Sequence, residues 1–272
     1  MEYVFDALIK YDMFELVLRK ALDKESQMEL KLALHDYLQR KHPNDIERLT
    51  MVYIYFNMFR EIGDTLWDLA MKTLRGTRDR PVAAVYEDLL QTIQRLSDAA
   101  EAYVKEDCVN QVTRCVAYGN LVALQLQNPQ IRLVNLSEGD VRKLMTTLPR
   151  YTDARIVAEA YEKNNNTEWV NAVYHQAIVM GNVAFAEQHC IVARPSFTFF
   201  QDLVSKFRAN TAGPSGNAAH LSHLRRVIEY CNEVLYVYRV AVDLKLYDLV
   251  ERLTNDFPGV DELSSSSSFS SK

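Results

Sequence analysis

From Val82 to Tyr103 the apolar residues Val82, Tyr86, Leu89, Ile93, Leu96, Ala100 and Tyr103 recur at spacings of four and three. Leu221, Leu224, Ile228, Cys231, Leu235, Tyr238 and Val242 repeat that spacing further along the chain. A helix gathers such positions into one stripe, whereas a strand, whose side chains alternate faces, scatters them. Each seam covers about three heptads, enough to pack along a neighbouring helix and near the minimum for an independent coiled coil. Both seams are therefore expected to lie inside the fold. Pro81, just ahead of the first, suits a helix's first turn.

The punctuation agrees. Eight glycines and seven prolines stand among 272 residues, about half the usual share. All-β folds and βαβ units consume these residues in their turns, so their scarcity favours helices joined by short links. Helix starts are written at Ser26 to Glu29, Asn44 to Glu47 and Ser137 to Asp140, where a capping oxygen precedes a carboxylate by three positions. After the first, Leu30, Ala33, Leu34, Tyr37 and Leu38 share one face of a helix that stops before Pro43. After the second, Leu49 to Phe59 is apolar nearly all round, which predicts a helix sandwiched between layers.

The stretch VMGNVAFAEQHC, Val179 to Cys190, sets a Gly-Asn pair inside an apolar run. Gly181-Asn182 aligns with Gly119-Asn120, with apolar residues at the third and sixth positions of both frames. Tyr11-Asp12 and Lys245-Leu246 fit more loosely. The frame predicts a helix, a tight turn and a second helix, with Val183 and Ala186 as packing contacts. A helical hairpin cannot bury both faces alone, so hairpins stack. The expected fold is all-α, an irregular α-solenoid of stacked helical hairpins with about twelve helices over residues 1–258. Residues 209–219, rich in small and turn-forming types, are expected to be a mobile loop, and 259–272 a disordered Ser-rich tail.

A net charge of −5 and a pI near 5.7 give no long-range positive field, which disfavours general nucleic-acid binding. Lys72, Arg75, Arg78 and Arg80 cluster around Gly76. They read as a solvated link between helices, the alternative being a site for anionic lipid or an acidic partner. Cys108, Cys115, Cys190 and Cys231 form no CxxC pair and are expected to be free thiols of a reducing compartment. The first residues lack a signal-peptide pattern, and no apolar run is long enough to span a bilayer.

No catalytic, cofactor or metal site is legible. His189 and Cys190 are neighbours in sequence, but adjacent helical residues point about 100° apart, so they do not make a nucleophile and base. A buried Cys190 beside a partly exposed His189 is expected. His220 and His223, at i and i+3, could share a metal, yet no further ligands complete a set. Tyr53, Tyr55, Tyr236 and Tyr238 are candidate anchors of a partner interface, with core packing as the alternative.

The blocks FELVLRK, LKLALHDYLQRKHPND and MVYIYFNMFREIGDTL resemble the C-terminal region of spatacsin-like proteins. The likeness continues through YEDLLQTIQRLSDAAEAYVKEDCVNQVTRCVAYGNLVALQLQ and NTEWVNAVYHQAIVMGN to about Asp256. The resemblance implies one end of a much larger cytosolic helical scaffold without a catalytic motif or cofactor. It also implies work with spastizin and the fifth adaptor-protein complex, peripherally at late endosomes and lysosomes, in membrane traffic and autophagic lysosome reformation. In that family loss of function implies spastic paraplegia with axonal degeneration. A non-enzymatic interaction module is thus expected. The rivals are a self-associating helical module whose seams form a homodimer and, more remotely, a metalloenzyme built on His220 and His223.

Overall fold

The computed structural model describes residues 2–11, 13–18, 24–43, 45–210 and 218–262. Among them are fifteen α-helices and no strand, so the all-α expectation holds with three more helices than the dozen anticipated. Backbone contacts divide the chain into two units, Met1–Asn135 and Leu136–Lys272.

The first unit contains α1 (Glu2–Lys10), α2 (Phe14–Leu18), α3 (Lys24–Lys41), α4 (Ile46–Tyr55), α5 (Phe59–Gly76), α6 (Tyr86–Val104) and α7 (Val109–Gln127). Phe5, Leu18, Leu34, Tyr37, Leu38, Leu49, Val52 and Tyr53 close one core among α1 to α4. A second core joins Ala70, Leu96, Ala99, Tyr103 and Cys115, where α6 packs against both α5 and α7. Gly63 permits the closest part of that packing. A Cβ there would stand 2.7 Å from the Tyr103 ring, whose hydroxyl donates to Asp64 Oδ1 at 2.6 Å.

The second unit contains α8 (Glu138–Thr147), α9 (Tyr151–Ala160), α10 (Asn166–Val173), α11 (Val183–Ala193), α12 (Phe197–Asn210), α13 (Ala218–Ile228), α14 (Val234–Asp243) and α15 (Tyr247–Asp256). A π-helical turn, Tyr174–Val179, extends α10. Helix α10 packs against α8 and α12, α11 against α9 and α13, and α14 against α15.

The hairpins share one junction. Asn57, Asp107, Glu162 and Lys245 all adopt positive φ, between 52° and 58°. The amide after each donates to the carbonyl five residues back: Met58 to Tyr53, Cys108 to Tyr103, Lys163 to Ala158 and Leu246 to Ala241. The positive-φ residue itself donates three residues back, which completes a Schellman motif. Met58, Cys108 and Leu246 then serve directly as the N-cap of the next helix. Three residues thus separate α4 from α5, and α14 from α15. Gly181, at φ +76°, makes the corresponding bend after the π-helical turn, with Val183 and Ala186 buried as expected.

Other expectations change. Gly119 and Asn120 lie inside α7 and bend nothing; the turn of that hairpin is at Asp107. Of the frame at Tyr11-Asp12, Asp12 lies outside the described residues. Ser137 caps α8, accepting from the Asp140 amide, whereas Ser26 falls within α3 and the cap of α4 is Asp45. The apolar run Leu49–Phe59 is split between two helices, and α4 exposes Ile54 and Tyr55 rather than being sandwiched. The first seam runs through a short 3₁₀ turn, Val82–Val85, into α6 and is internal except at Tyr86. The second is broken by a turn at 229–233, and Leu235 and Val242 are exposed on α14.

In the expected mobile loop, 209–210 close α12 and 218–219 open α13, while 211–217 lie outside the described residues. The expected tail is described only to Glu262. Val260 is buried there, in a last helical turn after Gly259.

Candidate functional site

The chemistry-bearing neighbours His189 and Cys190 sit on α11, both on the face that it buries together with Val183, Phe185 and Ala186. His189 is 3% exposed, not partly exposed as expected. Helices α9, α10 and α12 each bring one ring to it. Trp169 stacks on the imidazole at 4.8 Å, and Phe199 and Tyr151 approach at 5.0 and 5.6 Å. The Trp169 indole N–H donates to Asn164 Oδ1 at 2.9 Å. Nothing among the described residues hydrogen-bonds His189 Nδ1. Burial pulls this imidazole down to about 4 from an ordinary 6.5, which leaves it neutral near pH 7.

Among the described residues no carboxylate hydrogen-bonds His189 Nδ1, the atom at which a triad-like general base is oriented. The thiol beside it is equally quiet. Burial, reinforced by Cys231, pushes Cys190 up to about 12, and burial pushes Cys115 up to about 11. A protonated thiol is neither a good nucleophile nor a metal ligand. A cavity of about 300 Å³ opens beside the cluster, walled by Asn164, Asn166, Trp169, His189, Ser196 and Phe199.

His220 and His223 lie at the start of α13. The His223 ring packs 3.0 Å from where a Cβ on Gly181 would stand, and its Nδ1 meets the Ile178 carbonyl oxygen at 3.0 Å. One nitrogen of the supposed ligand pair is thus engaged by the backbone of the π-helical turn. Among the described residues no group of three or more His, Cys, Asp or Glu side chains is placed to hold a metal ion.

The four tyrosines separate. Tyr53 is 4% exposed and belongs to the core of the first unit, so it presents no surface to a partner. Tyr55, two residues on, is 38% exposed and meets Phe56 edge-on. In the second unit the Tyr236 hydroxyl donates to the Phe200 carbonyl at 3.3 Å, and its ring meets Phe197 edge-on. Tyr238 is half-buried. The sequence reading missed the exposed apolar side chains of residues 2–41, where Tyr3 is 90% exposed and Tyr11, Leu16 and Leu32 are also open. Among the described residues no helix is long and apolar enough to cross a membrane.

The family model described as spatacsin C-terminus matches residues 1–209. Mouse spatacsin is 30% identical over 269 residues, and a protein of Dictyostelium discoideum is 29% identical over 276. Each alignment covers 94% of this chain, which spans 11% of the mouse protein and 7% of the Dictyostelium one. No solved structure matches. With the family model covering more than half its length, the chain belongs to the spatacsin C-terminus family.

Proposed function

We propose that this chain is a non-enzymatic interaction module of a spatacsin-like scaffold. It works with spastizin and the fifth adaptor-protein complex in late-endosomal and lysosomal membrane traffic, including autophagic lysosome reformation. Its place is cytoplasmic and peripheral, at lysosomes and late endosomes, reached through its partners. The observation that carries the reading is the apolar surface left open on α1 to α3, with Tyr3, Tyr11, Leu16 and Leu32 unburied. Large apolar side chains left open on α1 and on the two helices that pack against it, α2 and α3, are what a protein-binding face presents. The inert His189 and Cys190 environment is consistent with a role in packing rather than turnover.

The test is capture of purified spastizin by the purified, folded chain. Binding that falls when Tyr11 and Leu16 are replaced by Ser supports the reading. Absence of binding with a folded chain refutes the assignment of the interface to this region.

A further inference from the structure

Lys72 and Arg75 stand one turn apart at the C-terminal end of α5, both exposed. Neither has an ion-pair partner among the described residues, and the same is true of Arg78 just beyond the helix. Arg80, the fourth member of the basic cluster, is consumed by Asp88 at 2.6 Å. Arg78 lies in the exposed link beyond α5, but Lys72 and Arg75 do not. Lys72 and Arg75 wall a groove of about 530 Å³ between α5 and the α3–α4 pair, with Ile46 and Leu69 among the apolar residues of its lining.

The groove's lining runs along α5 from Thr65 to Arg75, about 15 Å at the helical rise. Its charge changes sign on the way, from Asp68 to Lys72 and Arg75. A single phosphate or lipid headgroup would engage only the basic end and leave the apolar lining unused. A flat bilayer surface cannot follow the floor of a cleft between helices. An extended or helical peptide can, with an apolar side chain against the half-buried Ile46 and Leu69 and its carboxylates over Lys72 and Arg75. Two uncompensated cations in a chain of net charge −5 give that end a local field opposite to the rest of the molecule.

We infer that this groove is a docking site for an acidic peptide segment of a partner protein, held by an apolar anchor and by Lys72 and Arg75. The inference rests on the reading of the chain as an interaction module and supplies the chemistry of one contact.

The probe is a fluorescein-labelled peptide, DELEDLFEDE, titrated with the purified full chain and read by fluorescence anisotropy. Saturable binding is expected, weakening with added salt. Lys72→Glu with Arg75→Glu should weaken it at least about tenfold. Lys143→Glu, a charge reversal at an exposed site on α8, should leave it unchanged. Replacing the peptide's Leu and Phe by Ser should abolish binding. If the double reversal alters the circular dichroism spectrum, Lys72→Gln with Arg75→Gln reads the same contact without adding charge.

No binding of the acidic peptide, an equal loss with Lys143→Glu, or undiminished binding of the Ser-substituted peptide overturns the proposal. So does binding of phosphatidylserine vesicles through Lys72 and Arg75 in the absence of peptide binding. Failure here leaves the spastizin capture experiment untouched, because that experiment reads the whole surface and this one reads a single groove.

Discussion

His189 gives the sharpest energetic expectation. Its imidazole is enclosed by Tyr151, Trp169 and Phe199, and burial holds its pKa at about 4 against 6.5 in an open chain. Above pH 6.5 both folded and unfolded forms are neutral, and His189 contributes no pH dependence. Between 6.5 and 4 the unfolded chain takes up a proton that the folded one refuses, so stability falls as the pH falls. Each unit of separation between the two pKa values is worth about 1.4 kcal/mol, which makes the loss about 3 kcal/mol by pH 4. Cys190 and Tyr151, both raised, stay neutral throughout this window.

His189→Phe keeps a ring in the cluster and removes the titration. Denaturant unfolding of both proteins at pH 7, 5.5 and 4 isolates the effect as a difference, which cancels the carboxylates and the other histidines. At pH 7 the variant should be as stable as the parent or more so, because an unpartnered buried nitrogen is gone. At pH 4 it should exceed the parent by about 3 kcal/mol more than at pH 7. Parallel pH profiles for the two proteins, or an NMR titration placing His189 near 6.5, would falsify the enclosed, neutral imidazole.

Four further substitutions probe the helix packing and junctions. Gly63→Ala drives a Cβ into the Tyr103 ring and should cost about 1–3 kcal/mol in thermal or denaturant unfolding; a neutral result would mean that α5 and α6 are not so closely apposed. Lys245→Gly relieves a left-handed residue and should stabilise by up to about 1 kcal/mol, whereas Gly181→Ala, at φ +76° and against His223, should cost about 1–2 kcal/mol. Ser137→Ala removes the side-chain acceptor at the start of α8 and should cost about 1 kcal/mol in urea unfolding.

The helices were legible because their apolar spacing is set by local geometry. Leu34, Tyr37 and Leu38 on α3, and Leu89, Leu96 and Tyr103 on α6, are buried as their spacing requires. The packing around His189 was not legible from spacing. Separation on a helix tells how far apart His189 and Cys190 point, but not whether something covers both directions. The rings that cover His189 come from three other helices, and the group that raises Cys190 beyond its burial is Cys231, 41 positions away in sequence. Nor does local hydropathy decide it: Ile191 and Val192, the apolar residues next along α11, are exposed while His189 is buried.

The turns were misread for a more specific reason. Glycine does not mark them: Gly119 sits inside α7, where its flexibility costs about 1 kcal/mol and bends nothing. The junctions instead use Asn57, Asp107, Glu162 and Lys245, polar residues that accept a left-handed backbone because the Schellman bonds on either side satisfy the helix end. At Met58 and Leu246 the next residue is apolar and buried, since it must seat the incoming helix against the outgoing one. The apolar run therefore continues through the bend with one polar interruption, and hydropathy records a single longer helix. The readable signal is that lone polar residue between apolar neighbours, as in YFNMF or DLKLY, where the helical stripe shifts phase. Counting phase shifts rather than glycines divides the run from Leu49 to Phe59 at Asn57, where the chain itself turns.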